Sequence, residues 1–278
     1  EISNGSSSKK KKEQYKYLKR RTSGEMLEVF ETDNIMKYCA EAFEVLSTPL
    51  YLSITFALCS MYFIVTGIQF WMTEYLIQIM NIDPVLVVII FSFTSITASL
   101  AGVIIGGIFA DKYGGYKGKN SVKAMKLCLA FGFVAFVFAF PIGFLFTLVY
   151  VTTLLWAFLF FGAAIIPVAT GIMISSVRRE YQTASSSISQ LIFNLLGYFA
   201  SPILTGFIVD SFENKRTGFI WGIRIIFWWV IISLILIVIS FILVYKKYEK
   251  EGEDEMSLDE EKMMDEMSDM MKIQIQKR

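Results

Sequence analysis

Residues 127–177 read LCLAFGFVAFVFAFPIGFLFTLVYVTTLLWAFLFFGAAIIPVATGIMISSV, and these 51 positions contain no Asp, Glu, Lys or Arg. A helix needs about 20 apolar residues to cross a hydrocarbon core about 30 Å thick. The stretch is long enough for two such helices but too long for one. It therefore predicts two membrane-spanning helices that are joined by a turn near Pro141.

Four shorter uncharged runs surround this stretch, and each is long enough for one membrane-spanning helix: 45–73, 84–110, 181–209 and 225–245. With the two helices above, the sequence predicts six spans at about 50–78, 84–110, 122–140, 145–177, 183–209 and 219–245. We therefore expect an all-α membrane protein with one bundle over 49–247.

The distribution of Lys and Arg predicts which side of the membrane each segment faces. Alternate segments carry 19 of these residues before the distal tail, and the segments between them carry three: Lys215, Arg216 and Arg224. Because Lys and Arg close to a span resist translocation, both ends of the chain are expected in the cytosol. The net charge of +1 reflects basic loops and an acidic tail that cancel. It gives no reason to expect a nucleic-acid partner.

Composition excludes several classes of enzyme and metal protein. The chain has 55% hydrophobic residues and no histidine, which excludes Ser-His hydrolases, HExxH zinc proteases and proteins with His-ligated haem. Its three cysteines, Cys39, Cys59 and Cys128, lack CxxC spacing, so neither a structural zinc site nor a disulfide framework is suggested. The sequence also lacks the paired catalytic aspartates that would suggest an intramembrane enzyme. We expect no enzymatic activity and no cofactor.

The two ends of the chain differ from the bundle in composition. Residues 1–48 read as a cytosolic linker with an amphipathic helix over 25–46, and since the sequence begins at Glu1 we expect further protein upstream. Residues 248–278 form a Met-rich tail that holds eleven acids against five bases from Glu249 onward. Several methionines fall on one helical face. The tail either docks a cytosolic partner or is a solvated end.

A short motif stands at the cytosolic end of the second span. Gly107-Ile-Phe-Ala-Asp111-Lys112-Tyr-Gly114-Gly resembles the Gly-x-x-x-Asp-Arg/Lys-x-Gly signature loop of the major facilitator superfamily. Glycines permit close packing and a tight turn, and Asp111 is expected to accept hydrogen bonds from a neighbouring helix N-terminus. Gly115 and Tyr116 stand where the family has basic residues.

Two further segments are similar to the same superfamily. Arg178-Arg179-Glu-Tyr-Gln-Thr183-Ala184 resembles its Arg-Arg-x-Thr-Ala joint, and the end of the fifth span resembles its Gly/Pro-rich eleventh helix through Gly197, Ser201, Pro202, Gly206 and Asp210. With Thr66-Gly67 and Phe70-Trp71 in the first span, the chain looks like the spinster-like branch, whose members export lysophospholipids or sphingoid lipids.

The resemblance implies an architecture and a set of gating residues. The superfamily has twelve helices in two six-helix halves, so these spans would be helices seven to twelve and residues 1–48 the central loop. The missing N-terminal half would be a partner of this bundle. The first, second, fourth and fifth spans would face a cavity between the halves, and the third and sixth would face lipid. The implied gating residues are Gly107, Asp111, Lys112, Gly114, Arg178, Arg179 and Thr183.

Two polar stripes mark the candidate substrate site. Helical spacing places Tyr62, Thr66, Gln69 and Thr73 on one face of the first span. The same spacing on the fifth span aligns Ser187, Gln190, Asn194, Tyr198 and Ser201. An unpaired Gln or Asn that faces hydrocarbon is costly. The stripes therefore face either a cavity or a partner helix with which they form interhelical hydrogen bonds.

Two other helix features are predicted from small residues and proline. Four small residues at steps of four in the second span should let a neighbouring helix approach closely: Ala98, Gly102, Gly106 and Ala110. Pro202 frees a backbone carbonyl that Ser201 or Thr205 is expected to satisfy. The segment that contains Gly197, Ser201, Pro202 and Gly206 is then either a hinge or a static kink.

These features together favour a secondary active transporter that works by alternating access. Few polar groups among many aromatic residues suit an amphipathic, lipid-like or organic solute better than a sugar or an inorganic ion. The alternative is a transporter-like protein that does not transport and serves as a scaffold or receptor through its acidic tail.

Overall fold

The structure is a computed structural model that describes the main chain of residues 38, 40–116 and 118–276 and the side chains as far as residue 249. The chain divides into two compact units, Glu1–Ser47 and Thr48–Arg278. In the first unit residues 40–46 are helical. Most of the amphipathic helix predicted over 25–46 lies outside the described residues, as do the side chains of the Met-rich tail.

The second unit contains six helices that are long and apolar enough to cross a membrane. We number them span 1 to span 6: Pro49–Gln78, Pro84–Lys112, Asn120–Ile142, Leu148–Ser175, Arg179–Asp210 and Lys215–Glu249. No strand occurs in the described part of the chain. The prediction of an all-α membrane protein with six spans is confirmed, including the turn that follows Pro141.

Local sequence explains where the spans begin. Span 2 has proline at its first position, where the missing N–H would have no helical partner. The side chain of Asp83 precedes it and accepts hydrogen bonds from the backbone N–H groups of Val85 and Leu86 at 3.0 and 3.1 Å. Pro49 occupies the same position in span 1.

Span 1 is the centre of the packing. It contacts span 6, span 5 and span 4, while span 4 packs against spans 2 and 3, and span 3 also packs against span 6. In its most apolar window 67% of the residues of span 1 are buried, against 17% in span 2 and 28% in span 5. Spans 2 and 5 therefore present the largest uncovered surfaces of the unit.

The stripe of small residues in span 2 packs directly on span 4. Ala98, Gly102, Gly106 and Ala110 are all buried. A Cβ atom at Gly102 would collide with the carbonyl oxygen of Phe160, and one at Gly106 with that of Ala164. The prediction that these positions allow close helix approach is confirmed, and span 4 is the neighbour.

Span 5 departs from a simple α-helix, and the α-helix of span 6 is longer than predicted. Span 5 consists of a 3-10 turn at Arg179–Tyr181, an α-helix at Gln182–Ile192, a π-helical segment at Phe193–Phe199 and an α-helix at Ala200–Asp210. The helix of span 6 extends beyond the predicted span 219–245 and runs from Lys215 to Gln276. The acidic tail is therefore helical in its main chain.

Candidate functional site

The two polar stripes meet where span 1 crosses span 5. The ring of Tyr62 lies 4.9 Å from that of Phe193 and 5.0 Å from that of Tyr198, measured between ring centroids. Of the predicted cavity residues, the structure thus brings Tyr62 and Tyr198 into contact. Their rings form an aromatic surface beside the exposed polar residues of span 5.

Two glycines allow this crossing. A Cβ atom at Gly197 would lie 3.0 Å from the Cβ of Tyr62 and 3.2 Å from the carbonyl oxygen of Cys59. A Cβ atom at Gly67 would lie 2.8 Å from the hydroxyl of Ser201. Both helices therefore approach through positions that have no side chain, as small residues permit in membranes.

Ser201 does not serve the role predicted for it. Its hydroxyl is buried and donates a 2.5 Å hydrogen bond to the carbonyl oxygen of Phe63 in span 1. It was one of two residues, with Thr205, expected to satisfy the carbonyl that Pro202 frees within its own span. The close approach at Gly67 explains the difference, because it brings an acceptor on span 1 within reach.

The other predicted cavity residues line the outside of this crossing. Thr66 donates to the carbonyl oxygen of Tyr62 in its own helix at 2.8 Å, and Thr73 is partly buried. Gln69, Gln190 and Asn194 are exposed. They lie on the uncovered surface of the described unit, which is where a facing bundle or a water-filled cavity would meet them.

The predicted signature loop forms a helix C-terminal cap. The N–H of Gly115 donates to the carbonyl oxygen of Ala110 at 2.9 Å, and the N–H of Gly114 donates to that of Asp111 at 3.0 Å. This is the Schellman pattern, which requires a left-handed residue after the helix. Gly114 supplies it with φ of +93°. Gly107, by contrast, lies at an open position where an added Cβ would meet nothing within 4 Å.

Tyr116 fixes this loop to span 4. Its carbonyl oxygen accepts from Ser121 at 2.6 Å and from Ser175 at 3.4 Å, and its ring covers Gly171. Ser175 is the last residue of span 4, so the loop after span 2 and the joint after span 4 lie at the same end of the bundle. This relationship agrees with the predicted topology, in which both loops face one side.

Five of the predicted gating residues, four of them charged, are at the surface of this end. Asp111, Lys112, Arg178, Arg179 and Thr183 are exposed. Within the described residues the Asp111 carboxylate accepts no hydrogen bond, contrary to the expectation that a neighbouring helix N-terminus would donate to it.

A separate apolar cavity of about 120 Å³ lies inside the bundle. Spans 1, 2, 3, 4 and 6 all contribute to it, and its walls include Ile64, Val103, Phe158 and Leu234. None of the predicted cavity residues lines it. Among the described residues no group of three or more Cys, Asp or Glu side chains is placed to bind a metal ion.

The fold and these loops define a multi-pass membrane protein built like one bundle of a solute transporter. Residues 2–147 match the family model of the Organic Anion Transporter Polypeptide (OATP) family. The match covers more than half of the chain and includes spans 1 to 3, so the chain belongs to this family of membrane transporters of organic solutes. A comparison with curated proteins gives no significant match.

The family match refines the resemblance seen in the sequence. Transport and the general similarity to the major facilitator type are supported, since OATP proteins are transporters of that kind. The spinster-like branch is not supported. Of the residues that suggested it, Gly67 and Gly197 have packing roles at the crossing of spans 1 and 5, and Gly206 lies against the ring of Trp71.

Two features of the site were missed from the sequence. The π-helical segment at Phe193–Phe199 widens the helix three residues before Pro202, and π-segments often occur at functional positions. The only sequence signal for it was the nearby proline. Tyr116 was noted solely as a departure from a basic residue, although its ring and carbonyl attach the signature loop to span 4.

Proposed function

We propose that this protein transports amphipathic organic anions by alternating access. The anionic class rests on the family to which the chain belongs. The observation that carries the proposal is the exposed stripe at the crossing of spans 1 and 5, where Gln69, Gln190 and Asn194 lie beside the aromatic pair Tyr62 and Tyr198. Amide and hydroxyl groups bind polar atoms of a solute, and the rings bind its apolar body.

A second six-helix bundle would complete the path. The large uncovered surfaces of spans 2 and 5 are suited to face such a bundle, and the exposed amides avoid the cost of contact with hydrocarbon if that interface contains water. The signature loop and the Arg178-Arg179 joint would contact the companion bundle at the cytosolic end. The exposed carboxylate of Asp111 accepts no hydrogen bond in the described part of the chain. It would then pair with a group of the companion bundle.

Flux in proteoliposomes tests the proposal. The assay compares a bulky aromatic carboxylate or sulfate, a lysophospholipid, and a neutral sugar. We expect saturable uptake of the aromatic anion, smaller uptake of the lysophospholipid and none of the sugar. Uptake of none of the three above that of empty liposomes would overturn the proposal.

Paired variants of span 5 locate the site. Asn194→Leu and Gln190→Leu each remove an exposed amide. Each should reduce anion flux by about tenfold, which corresponds to a loss of about 1.4 kcal/mol of interaction with the solute. Leu195→Ile changes an exposed apolar residue beside them and should leave flux within twofold. Equal flux in all three variants would place the site elsewhere.

The continuous helix of span 6 favours a second function, that of a membrane scaffold or receptor. Its main chain is helical to Gln276 and includes the acidic, Met-rich sequence, as a docking element for a cytosolic partner would. Deletion of 249–278 separates the two functions. A transporter should keep its flux, whereas a scaffold or receptor should lose its partner.

A further inference from the structure

A cationic and aromatic cluster lies on a different face of span 6 from the one on which Gly218 and Gly222 pack against Val209 of span 5. It consists of Phe144, Trp221, Arg224 and Trp228, and we call it the Arg224 cluster. Trp221, Arg224 and Trp228 occupy one face of span 6 at i, i+3 and i+7. The guanidinium carbon of Arg224 lies 4.8 Å from the ring centroid of Phe144 and 5.2 Å from that of Trp221.

The turn between spans 3 and 4 holds Arg224 in place. Its Nε donates a 3.0 Å hydrogen bond to the carbonyl oxygen of Gly143. A Cβ atom at Gly143 would lie 2.8 Å from the Cγ of Arg224, so the glycine makes room for the side chain. Because Gly143 directly follows span 3, the guanidinium is at the depth of a membrane interface rather than at the bilayer centre.

The Arg224 cluster contains hydrogen-bond donors that have no acceptor. A guanidinium has five N–H groups, and only the Nε group of Arg224 is used within the described residues. No acidic side chain pairs with it in that part of the chain. The indole Nε1 of Trp228 is buried and has no partner there. Arg224 is only partly buried, so its unused N–H groups are open to an acceptor of negative charge.

The surface below the Arg224 cluster is apolar and exposed. Ile231, Ile232 and Ile235 follow Trp228 at i+3, i+4 and i+7, and they are 41%, 42% and 53% exposed. They lie deeper in the membrane than Arg224 because span 6 runs inward from Lys215. An anion with an attached acyl chain would place its charge at Arg224 and its chain along these isoleucines.

We propose that the Arg224 cluster binds the phosphate of a membrane phospholipid in the leaflet that contacts the turn between spans 3 and 4. The guanidinium donates two N–H groups to one phosphate, the rings of the Arg224 cluster pack around it, and the acyl chain covers Ile231 and Ile235. The site does not depend on transport, because it uses another face of span 6 than the one that packs on span 5.

Native mass spectrometry of the delipidated protein tests this site. The probes are phosphatidylglycerol, phosphatidylcholine, diacylglycerol with the same acyl chains, and glycerol 3-phosphate. We expect both phospholipids to be retained and the other two to be retained at least about tenfold less. Equal retention of diacylglycerol would show apolar contact alone, and equally tight binding of glycerol 3-phosphate would overturn the lipid assignment.

Three variants test the role of the guanidinium. Arg224→Gln should reduce phospholipid retention by about tenfold, as expected for loss of a charge-assisted bond. Arg224→Lys keeps the charge but loses the planar fork of N–H groups, and should reduce retention by about fivefold. Trp156→Phe is the control, because it removes an indole N–H that bonds to Thr97 outside the Arg224 cluster, and it should change retention by less than twofold. If Arg224→Gln does not fold, wild-type retention in Arg224→Lys would still overturn the proposal.

Discussion

Ser201 of span 5 donates a 2.5 Å hydrogen bond to the main-chain carbonyl oxygen of Phe63 in span 1. Phe63 lies within a helix, where carbonyl groups normally accept only from N–H groups of the same helix. The bond is possible because Gly67 leaves space for the Ser201 hydroxyl. It joins the two spans that carry the candidate transport site.

Removal of this bond should weaken the bundle modestly. Ser201→Ala is expected to lower the free energy of unfolding by about 1 kcal/mol, the scale of polar contacts between membrane helices. Thermal unfolding in detergent measures the change. Ser187→Ala is the control, since that exposed hydroxyl bonds only within its own helix, to Thr183 at 3.2 Å. An equal loss in both variants would contradict the interhelical role.

Adjacent glycines in span 2 should respond very differently to the same substitution. Gly106→Ala places a methyl group against the main chain of Ala164 and should destabilise the bundle by about 1–3 kcal/mol. Gly107→Ala has no neighbour within 4 Å and should be neutral or slightly stabilising. The comparison uses thermal unfolding of the two single variants. A larger loss at Gly107 would mean that span 2 packs on another face.

The cap of the signature loop depends on the conformation of one residue. Gly114→Ala forces a side chain to adopt φ of +93° close to the amide of Asn120, which should cost at least about 1 kcal/mol. Gly162→Ala is the control because its added Cβ is unopposed. Chemical denaturation of both variants gives the difference. Equal stability would show that the loop does not need the left-handed residue.

Asp111 should affect transport more than stability. Because its carboxylate is exposed and accepts no hydrogen bond in the described part of the chain, Asp111→Asn should change unfolding by less than about 0.5 kcal/mol. Flux of the aromatic anion should fall by about tenfold, the scale of a coupling between gate and site. Unchanged flux would remove the proposed contact with a companion bundle.

The number and limits of the spans follow from the sequence because hydrocarbon imposes a length and excludes charge. The uncharged run at 127–177 therefore predicted spans 3 and 4 together with their turn. The small residues of span 2 also have a direct physical meaning, since a missing side chain permits close packing, and the structure identifies span 4 as the neighbour. These features depend on local composition.

The site was predicted less completely because it depends on contacts between distant segments. The partner of Ser201 is 138 positions away, and no local rule favours Phe63 over the carbonyl freed by Pro202. The π-helical segment likewise arises where span 5 adapts to span 1. Helical spacing aligned Gln190, Asn194 and Tyr198, but only the structure showed that Tyr198 contacts Tyr62 while the two amides are exposed.

The most direct test asks whether water reaches the stripe on span 5. In a variant without the native cysteines, Asn194→Cys is compared with Val238→Cys, which is exposed on span 6, using a membrane-impermeant thiol reagent. We predict that the first cysteine reacts, that a transported anion slows this reaction, and that the second stays unreactive. No reaction at position 194 from either side of the membrane, or equal reaction at both positions, would contradict a transport path along this face.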